Sequence, residues 1–241
     1  MSASRRRAIA ALILGVAGTA ALFALSNWQM NRLEWKLGLI ETLEARLAAP
    51  PVPLPATVSL DDEFLRVSLT GRFDGEAGTH GFADAPFLTT RDKQAGYRIL
   101  QPFALTDGRR IMVSRGWVPV EQKNEGGRAI RPTAVPDGTV TLIGALRFPD
   151  DPQSPAFGAN DNVWIARDLD LLAEIFATEP ILVVAETSTP GPDGAAPIPQ
   201  PLTVNLRNNH LGYAITWWLL AAFWAGMSTL LTQREWRRGA D

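Results

Sequence analysis

Only two of the 241 residues are histidines, and one of them stands where an imidazole has consequences. His210 closes the polar run Arg207-Asn208-Asn209 and is followed by 21 residues, Leu211 to Leu231, without a charge. At ~1.5 Å per helical residue that run is roughly 31 Å long, enough to cross the hydrocarbon of a bilayer. An imidazole at such an edge is costly to bury and takes a partner. It is open whether this one serves as a ligand nitrogen or is an interfacial residue hydrogen-bonded to Asn208 or to an outer domain. On a helix, His210, Tyr213, Ala214, Trp217 and Ala221 fall on one stripe, which offers a nitrogen, aromatic faces and small gaps.

A second polar group follows the other apolar block. Trp28, Arg32, Trp35 and Lys36 stand at i, i+4, i+7 and i+8, one face of a helix. Trp with Arg or Lys at the end of a span is an interface anchor. The sharper reading is that Arg32 and Lys36 face the outer end of the second span and help hold an anionic ligand there. A third signal is Arg115-Gly116-Trp117 in VSRGWVP. An arginine inside an apolar strand must be paired or stacked, on Trp117 or on a carboxylate, and the structural reading is an arginine that staples a sheet.

The search for other chemistry is negative. The sequence has no G-x-S-x-G, H-E-x-x-H, P-loop or G-x-G-x-x-G pattern. There is no cysteine, so two histidines cannot make a typical structural zinc site, and four methionines do not suit copper(I) carriage. Asp61-Asp62-Glu63 reads as a solvated turn, and His80, among glycines, as an exposed loop residue. A net charge of −2 with no basic cluster argues against a nucleic-acid partner.

These residues need elements to position them. Ala8 to Leu25 is an apolar core of 18 residues behind three arginines, longer than the core of a cleaved signal peptide, and reads as an uncleaved anchor. Arg234, Arg237 and Arg238 follow the second block. Basic flanks on both spans put both tails on the cytoplasmic side, and the middle of the chain, with 17 basic and 23 acidic residues, outside. Ala11 with Gly15 and Gly18, and Ala221 with Ala225 or Ala222 with Gly226, are small residues that predict an antiparallel pair of spans.

Between the spans the period becomes alternating. Strands are expected over Glu63–Phe73, Gly96–Leu105, Arg109–Val120, Thr139–Phe148 and Pro180–Ser188. Thr106-Asp107-Gly108 makes a hairpin of the second and third. A short helix over Leu169–Thr178 is capped by Asp168 or Asp170. Ser188–Pro201 reads as a loop. The fold class is therefore an α+β membrane protein, two transmembrane helices flanking a mainly antiparallel β outer domain with one short helix. The expected divisions are a tail (1–7), a span (8–28), a juxtamembrane helix (29–49), a Pro-rich linker (50–60), the outer β domain (61–205), the second span with its edge (206–231) and a tail (232–241).

The pieces together resemble the surfeit locus protein 1 (Surf/Shy) family of cytochrome c oxidase assembly factors. W-Q-x-x-R-x-x-W-K (Trp28, Gln29, Arg32, Trp35, Lys36) looks like its opening motif. P-V-P-L-P, E-F-x-R-V-x-L-T-G-R-F, G-Y-R-I-L-x-P-F, S-R-G-W-V-P and N-N-H-L-x-Y-A-x-T-W follow in the family's order, from about residue 12 to 231. The family's glycine before the opening Trp-Gln is Asn27 here. The resemblance implies a bacterial-type inner-membrane protein with a periplasmic domain. It also implies binding of haem a and partnership with the oxidase core subunit, with contact to the haem a synthesis machinery and to membrane lipid. His210 corresponds to the family's haem-iron ligand, Trp217 to the motif tryptophan of that helix, and Arg115 to the arginine of R-G-W-V-P. The stripe below His210 could then take a flat porphyrin, with Arg207, Arg32 or Lys36 at its propionates. The competing reading is a membrane scaffold that holds the unfinished oxidase subunit and binds no haem. An outward-facing enzyme is the third and has no nucleophile–base set behind it.

Overall fold

The computed structural model describes residues 3–75, 84–120, 135–148, 163–164, 168–189, 191 and 197–238. His80 lies outside them. The chain divides into two compact units: Met1–Thr42 with Val204–Asp241, and Leu43–Thr203.

The first unit is built from two helices. The first span and the expected juxtamembrane segment form one uninterrupted helix, α1 (Ala3–Ala48), whose last six residues, from Leu43, belong to the second unit. Nothing inside it breaks the ladder, and it stops where Pro50 and Pro51 remove amide donors. The final helix, α3 (His210–Arg237), begins at the histidine itself. Both are long and apolar enough to cross a membrane. Leu12, Ile13, Leu14, Val16 and Phe23 on α1, and Leu211, Ile215, Trp218, Leu219 and Phe223 on α3, are all exposed. A helix that is apolar around its circumference and buries only one narrow stripe is suited to lipid, not to a soluble core.

The buried stripes show how the helices meet. Ala8, Gly15 and Ser26 are buried on α1, Ala214 and Ala221 on α3. Gly15 lies against Ser228, where a Cβ would stand 2.5 Å from the serine Cβ, and Gly18 lies under the Trp224 indole. Ser26 Oγ donates to the Ala214 carbonyl at 2.9 Å. Rising numbers on α1 thus meet falling numbers on α3, an antiparallel pair with small residues at its seam. Of the two small-residue pairs on α3, Ala221 with the half-buried Ala225 faces the seam, whereas Ala222 and Gly226 face outward.

The second unit is a sheet of seven strands: β1 (Val52–Pro53), β2 (Arg66–Phe73), β3 (Ala85–Arg91), β4 (Gln94–Leu105), β5 (Arg110–Pro119), β6 (Val140–Arg147) and β7 (Leu182–Thr189). The order is β1-β2-β6-β7-β5-β4-β3, and a further β2–β4 pairing closes β2, β6, β7, β5 and β4 on themselves as a small barrel. Pairing is antiparallel except for β1 with β2 and β5 with β7. The interior is filled by Val67, Leu69, Phe103, Ile111, Val113, Leu142, Leu146 and Val183. The short helix α2 (Leu169–Phe176) lays Leu172 and Phe176 over a second cluster with Phe87, Met112 and Trp164. Asp168 caps it, accepting from the Leu171 amide at 3.0 Å.

Strand β3 has no counterpart among the strands expected from the sequence. Its connection to β4 turns through Asp92 and Lys93, both at positive φ, in place of the Asn-Gly or Asp-Gly that announces such a hairpin. Extended Val52–Pro53, expected only as a stiff connection, joins the sheet as β1.

The seam predicts a specific crosslink in this cysteine-free chain. Ser26→Cys with Ala214→Cys is expected to form an intrachain disulfide under mild oxidation, seen as a mobility shift on non-reducing gels. Ser26→Cys with Ala222→Cys is expected not to. Equal yields from both pairs would contradict the packing.

Candidate functional site

His210 is the first residue of α3, half-buried on the stripe that meets α1. Its ring nitrogen Nδ1 lies 2.7 Å from Gln29 Oε1. Asn208, one of the partners the competing reading named, does not fill that role, and its own Oδ1 is buried without one. A carbonyl oxygen can only accept, so this contact is a hydrogen bond when Nδ1 carries the proton, and a neutral ring in that tautomer has its lone pair on Nε2. The imidazole is thus oriented by the opposite helix.

The surrounding residues divide by face. Trp217, Ala214 and Ala221 lie along the same buried stripe, Trp217 half-buried. Tyr213 does not share it: the residue is 56% exposed, one position around the helix from Ala214. Lys36 Nζ donates to the Arg207 carbonyl, which brings its ammonium to the residues that precede α3. Arg207 faces the Asn209 side chain, whose oxygen, in the amide orientation that satisfies both residues, accepts from Nε at 2.8 Å. Arg32 stacks on Trp35 with its guanidinium carbon 4.5 Å from the ring centre. Trp28 and Trp35 are more than half exposed, as interface anchors are.

The helix pair also carries an apolar groove of about 440 Å³ lined by Leu12, Gly15, Val16, Phe23 and Ser228, among others. No imidazole or carboxylate lines it. Among the described residues no three His, Cys, Asp or Glu side chains cluster as a metal site.

The Arg115 motif belongs to the second unit and does a different job. Opposite β4, Ile99 pairs with Gly116 while Leu100 pairs with Ser114, so Arg115 is the extra residue of a bulge. Gly116 permits it: φ is +139° there, and a Cβ would collide with the Ile198 carbonyl. Trp117 then exchanges two 2.8 Å backbone hydrogen bonds with Ile198. The bulge re-aims Arg115 into the barrel, where it is 7% exposed. Nη1 donates to Gln101 Oε1 at 2.9 Å, and the guanidinium lies 4.9 Å from the Phe73 ring centre. Stacking is therefore on Phe73 and not on Trp117. Gln101 Nε2 in turn donates to the Asp74 carbonyl at 3.1 Å. Burial pushes the Arg115 pKa down to about 10, against the favourable field of Asp84, so it stays charged at neutral pH. The cavity it lines with Phe73, Leu142 and Ala185 is about 50 Å³, room for a few waters, whereas sites for cofactor-sized molecules run to about 300 Å³ and more.

Sequence reasoning missed Gln29 as the partner of His210, although the residue stands in the W-Q-x-x-R motif. The available signal was spacing. Ala8, Gly15, Leu22, Gln29 and Lys36 recur at every seventh position, the period of a helix seam.

A pair of lipid-suited helices around an oriented imidazole, with a closed β-barrel domain between them in sequence, defines a membrane protein of mixed α+β class. The SURF1 family model matches residues 16–222. The chain is 36% identical over 215 residues to human Surfeit locus protein 1, covering 83% of this chain and 70% of that one. It is 33% identical over 237 residues to a SURF1-like protein of Caenorhabditis elegans (89% and 69%), and 32% identical over 222 residues to one from Monosiga brevicollis (88% and 84%). This chain belongs to the SURF1 family.

The bulge geometry makes Arg115 a test of structure. Arg115→Ala leaves Gln101 Oε1 without its donor and opens a void beside Phe73, which is expected to lower stability by about 2–5 kcal/mol. Arg115→Lys is not expected to restore it, because a compact ammonium cannot both stack and reach Gln101. Thermal unfolding of the full chain in detergent reads both. An unchanged midpoint in Arg115→Ala would contradict the stapling role.

Proposed function

We propose that this chain serves the assembly of cytochrome c oxidase by receiving haem a at the outer end of its helix pair and handing it to the oxidase core subunit. Membership of the SURF1 family supports the oxidase-assembly part. The haem part rests on one observation above the others: His210, at the first turn of α3, has Nδ1 engaged by Gln29 and so has Nε2 to offer. Haem is cargo in this reading. Its iron supplies the coordination site, and a neutral imidazole is a usual axial ligand.

The remaining residues fit a porphyrin in kind. Trp217 offers an aromatic face on the stripe, Ala214 and Ala221 leave the helix surface low, and Lys36, Arg207 and Arg32 supply cations for propionates. The hydrogen bonds already made by Lys36 and Arg207 fix where those charges sit. The barrel cavity at Arg115 is too small to compete for the ring. A single protein ligand suits a carrier, since cargo held by one bond to the iron is released more readily than cargo held by two. The chain is oriented with both tails cytoplasmic and the barrel domain periplasmic in a bacterial-type inner membrane, as the flanking arginines favour. No covalent catalysis is needed for this role.

The test is pigment. Full-length protein purified from cells that make haem a is expected to carry a Soret band, and His210→Ala is expected to lose it while retaining the wild-type thermal midpoint. Colourless wild-type protein that still copurifies with the oxidase core subunit, with or without His210, would replace the carrier by a scaffold.

A further inference from the structure

Gln29 sits on the seam of the helix pair, seven residues along α1 from Leu22, with its side-chain oxygen 2.7 Å from His210 Nδ1. We propose that Gln29 is a positioning residue that fixes the tautomer and ring plane of His210, so that Nε2 faces outward as an unprotonated donor before any ligand arrives. In water a neutral imidazole favours the opposite tautomer, with the proton on Nε2, which cannot bind a metal through that nitrogen. An acceptor held against Nδ1 reverses the preference. Most metal-ligating histidines hold their other N–H in this way, against a carboxylate or a carbonyl. Here the acceptor comes from a different helix, so tautomer and orientation are conditional on α1 and α3 being paired.

Two features make Gln29 suited to the task. Its amide oxygen is neutral, so it orients the ring without leaving a carboxylate at the lipid edge, where an unpaired charge is costly. Its position is set by packing on both sides. Ser26, one turn before it, is hydrogen-bonded to the Ala214 carbonyl, and Lys36, two turns after it, to the Arg207 carbonyl. The two contacts bracket His210 in sequence, from one turn into α3 to three residues before it. The helix backbone at Gln29 is therefore held against the start of α3 from both sides.

The consequence for haem rests on the reading of His210 as its ligand, but the tautomer does not, and the two are measured separately. Full-length protein labelled with 15N-histidine, without haem, is compared by 15N NMR with Gln29→Leu and Gln29→Glu, and with His80→Ala to assign the signals. Wild type and Gln29→Glu are expected to show His210 protonated on Nδ1, and Gln29→Leu to move toward the Nε2-protonated form. Titration with haem is then expected to give about 10–100-fold weaker binding in Gln29→Leu, the range for loss of such an orienting partner. Gln29→Glu, which keeps the acceptor, is expected to hold wild-type affinity and to strengthen the iron–imidazole stretch in resonance Raman spectra. A wild-type His210 protonated on Nε2, or a Gln29→Leu protein with unaltered tautomer, would overturn the proposal. If the tautomers behave as stated and no protein binds haem, Gln29 keeps its role and the haem reading falls.

Discussion

The constraint on which the membrane unit depends is the closeness of two helix backbones. Gly15 leaves no room for a Cβ against Ser228, and Gly18 none under Trp224. Lipid gives apolar side chains no reason to prefer one another over acyl chains, so contact at this distance is what favours pairing. The polar contacts do not carry it alone, since interhelical hydrogen bonds in membranes average only ~0.6 kcal/mol. Their value is angular. With the seam fixed by small residues, Ser26 meets Ala214, and Gln29 meets His210. Rotation of α1 by one residue, about 100°, would turn Gln29 away from the imidazole.

The barrel domain solves a separate problem by separate means. Closure requires β2 to meet β4 at one end, and the residues there are tied by a chain of contacts: Asp74 to Gln101, Gln101 to Arg115, Arg115 over Phe73. Arg110 adds a 2.6 Å ion pair to the Asp74 carboxylate. At the other side Arg66 grips Glu186 and reaches the Ala49 carbonyl. A buried guanidinium is expensive, and here a bulge aims it at partners that offset the cost. The R-G-W order follows from this: an extra residue to turn inward, a glycine for the kink, and a tryptophan that resumes pairing with Ile198.

What the sequence disclosed and what it hid have physical causes. The spans were legible because 21 uncharged residues have few other uses, and the β4–β5 hairpin because Thr106-Asp107-Gly108 is strong turn chemistry. Asp168 could be named as a cap because the side chain and its acceptor duty are local. Strand β3 was hidden because Asp92 and Lys93 take positive φ without glycine. Closure of the barrel was hidden because it depends on pairing Gly71 with Leu105, a contact far apart in sequence that no local pattern encodes. Arg115 was expected to be paired or stacked, on Trp117 or on a carboxylate, and its placement over Phe73 depended on a bulge invisible in the alternation. Likewise the need of His210 for a partner was plain, and Asn208 was the near candidate. The actual partner lies 181 residues away, brought there by helix packing.

The central claim is that the nitrogen of one residue, His210, meets iron at the end of the helix pair where α3 begins. It is tested most directly by electron–nuclear double resonance on ferric haem-loaded full-length protein carrying 15N-histidine. The account predicts strong hyperfine coupling from one imidazole, unchanged in His80→Ala. Absence of any histidine coupling, or coupling that disappears with His80 and survives loss of His210, would contradict it.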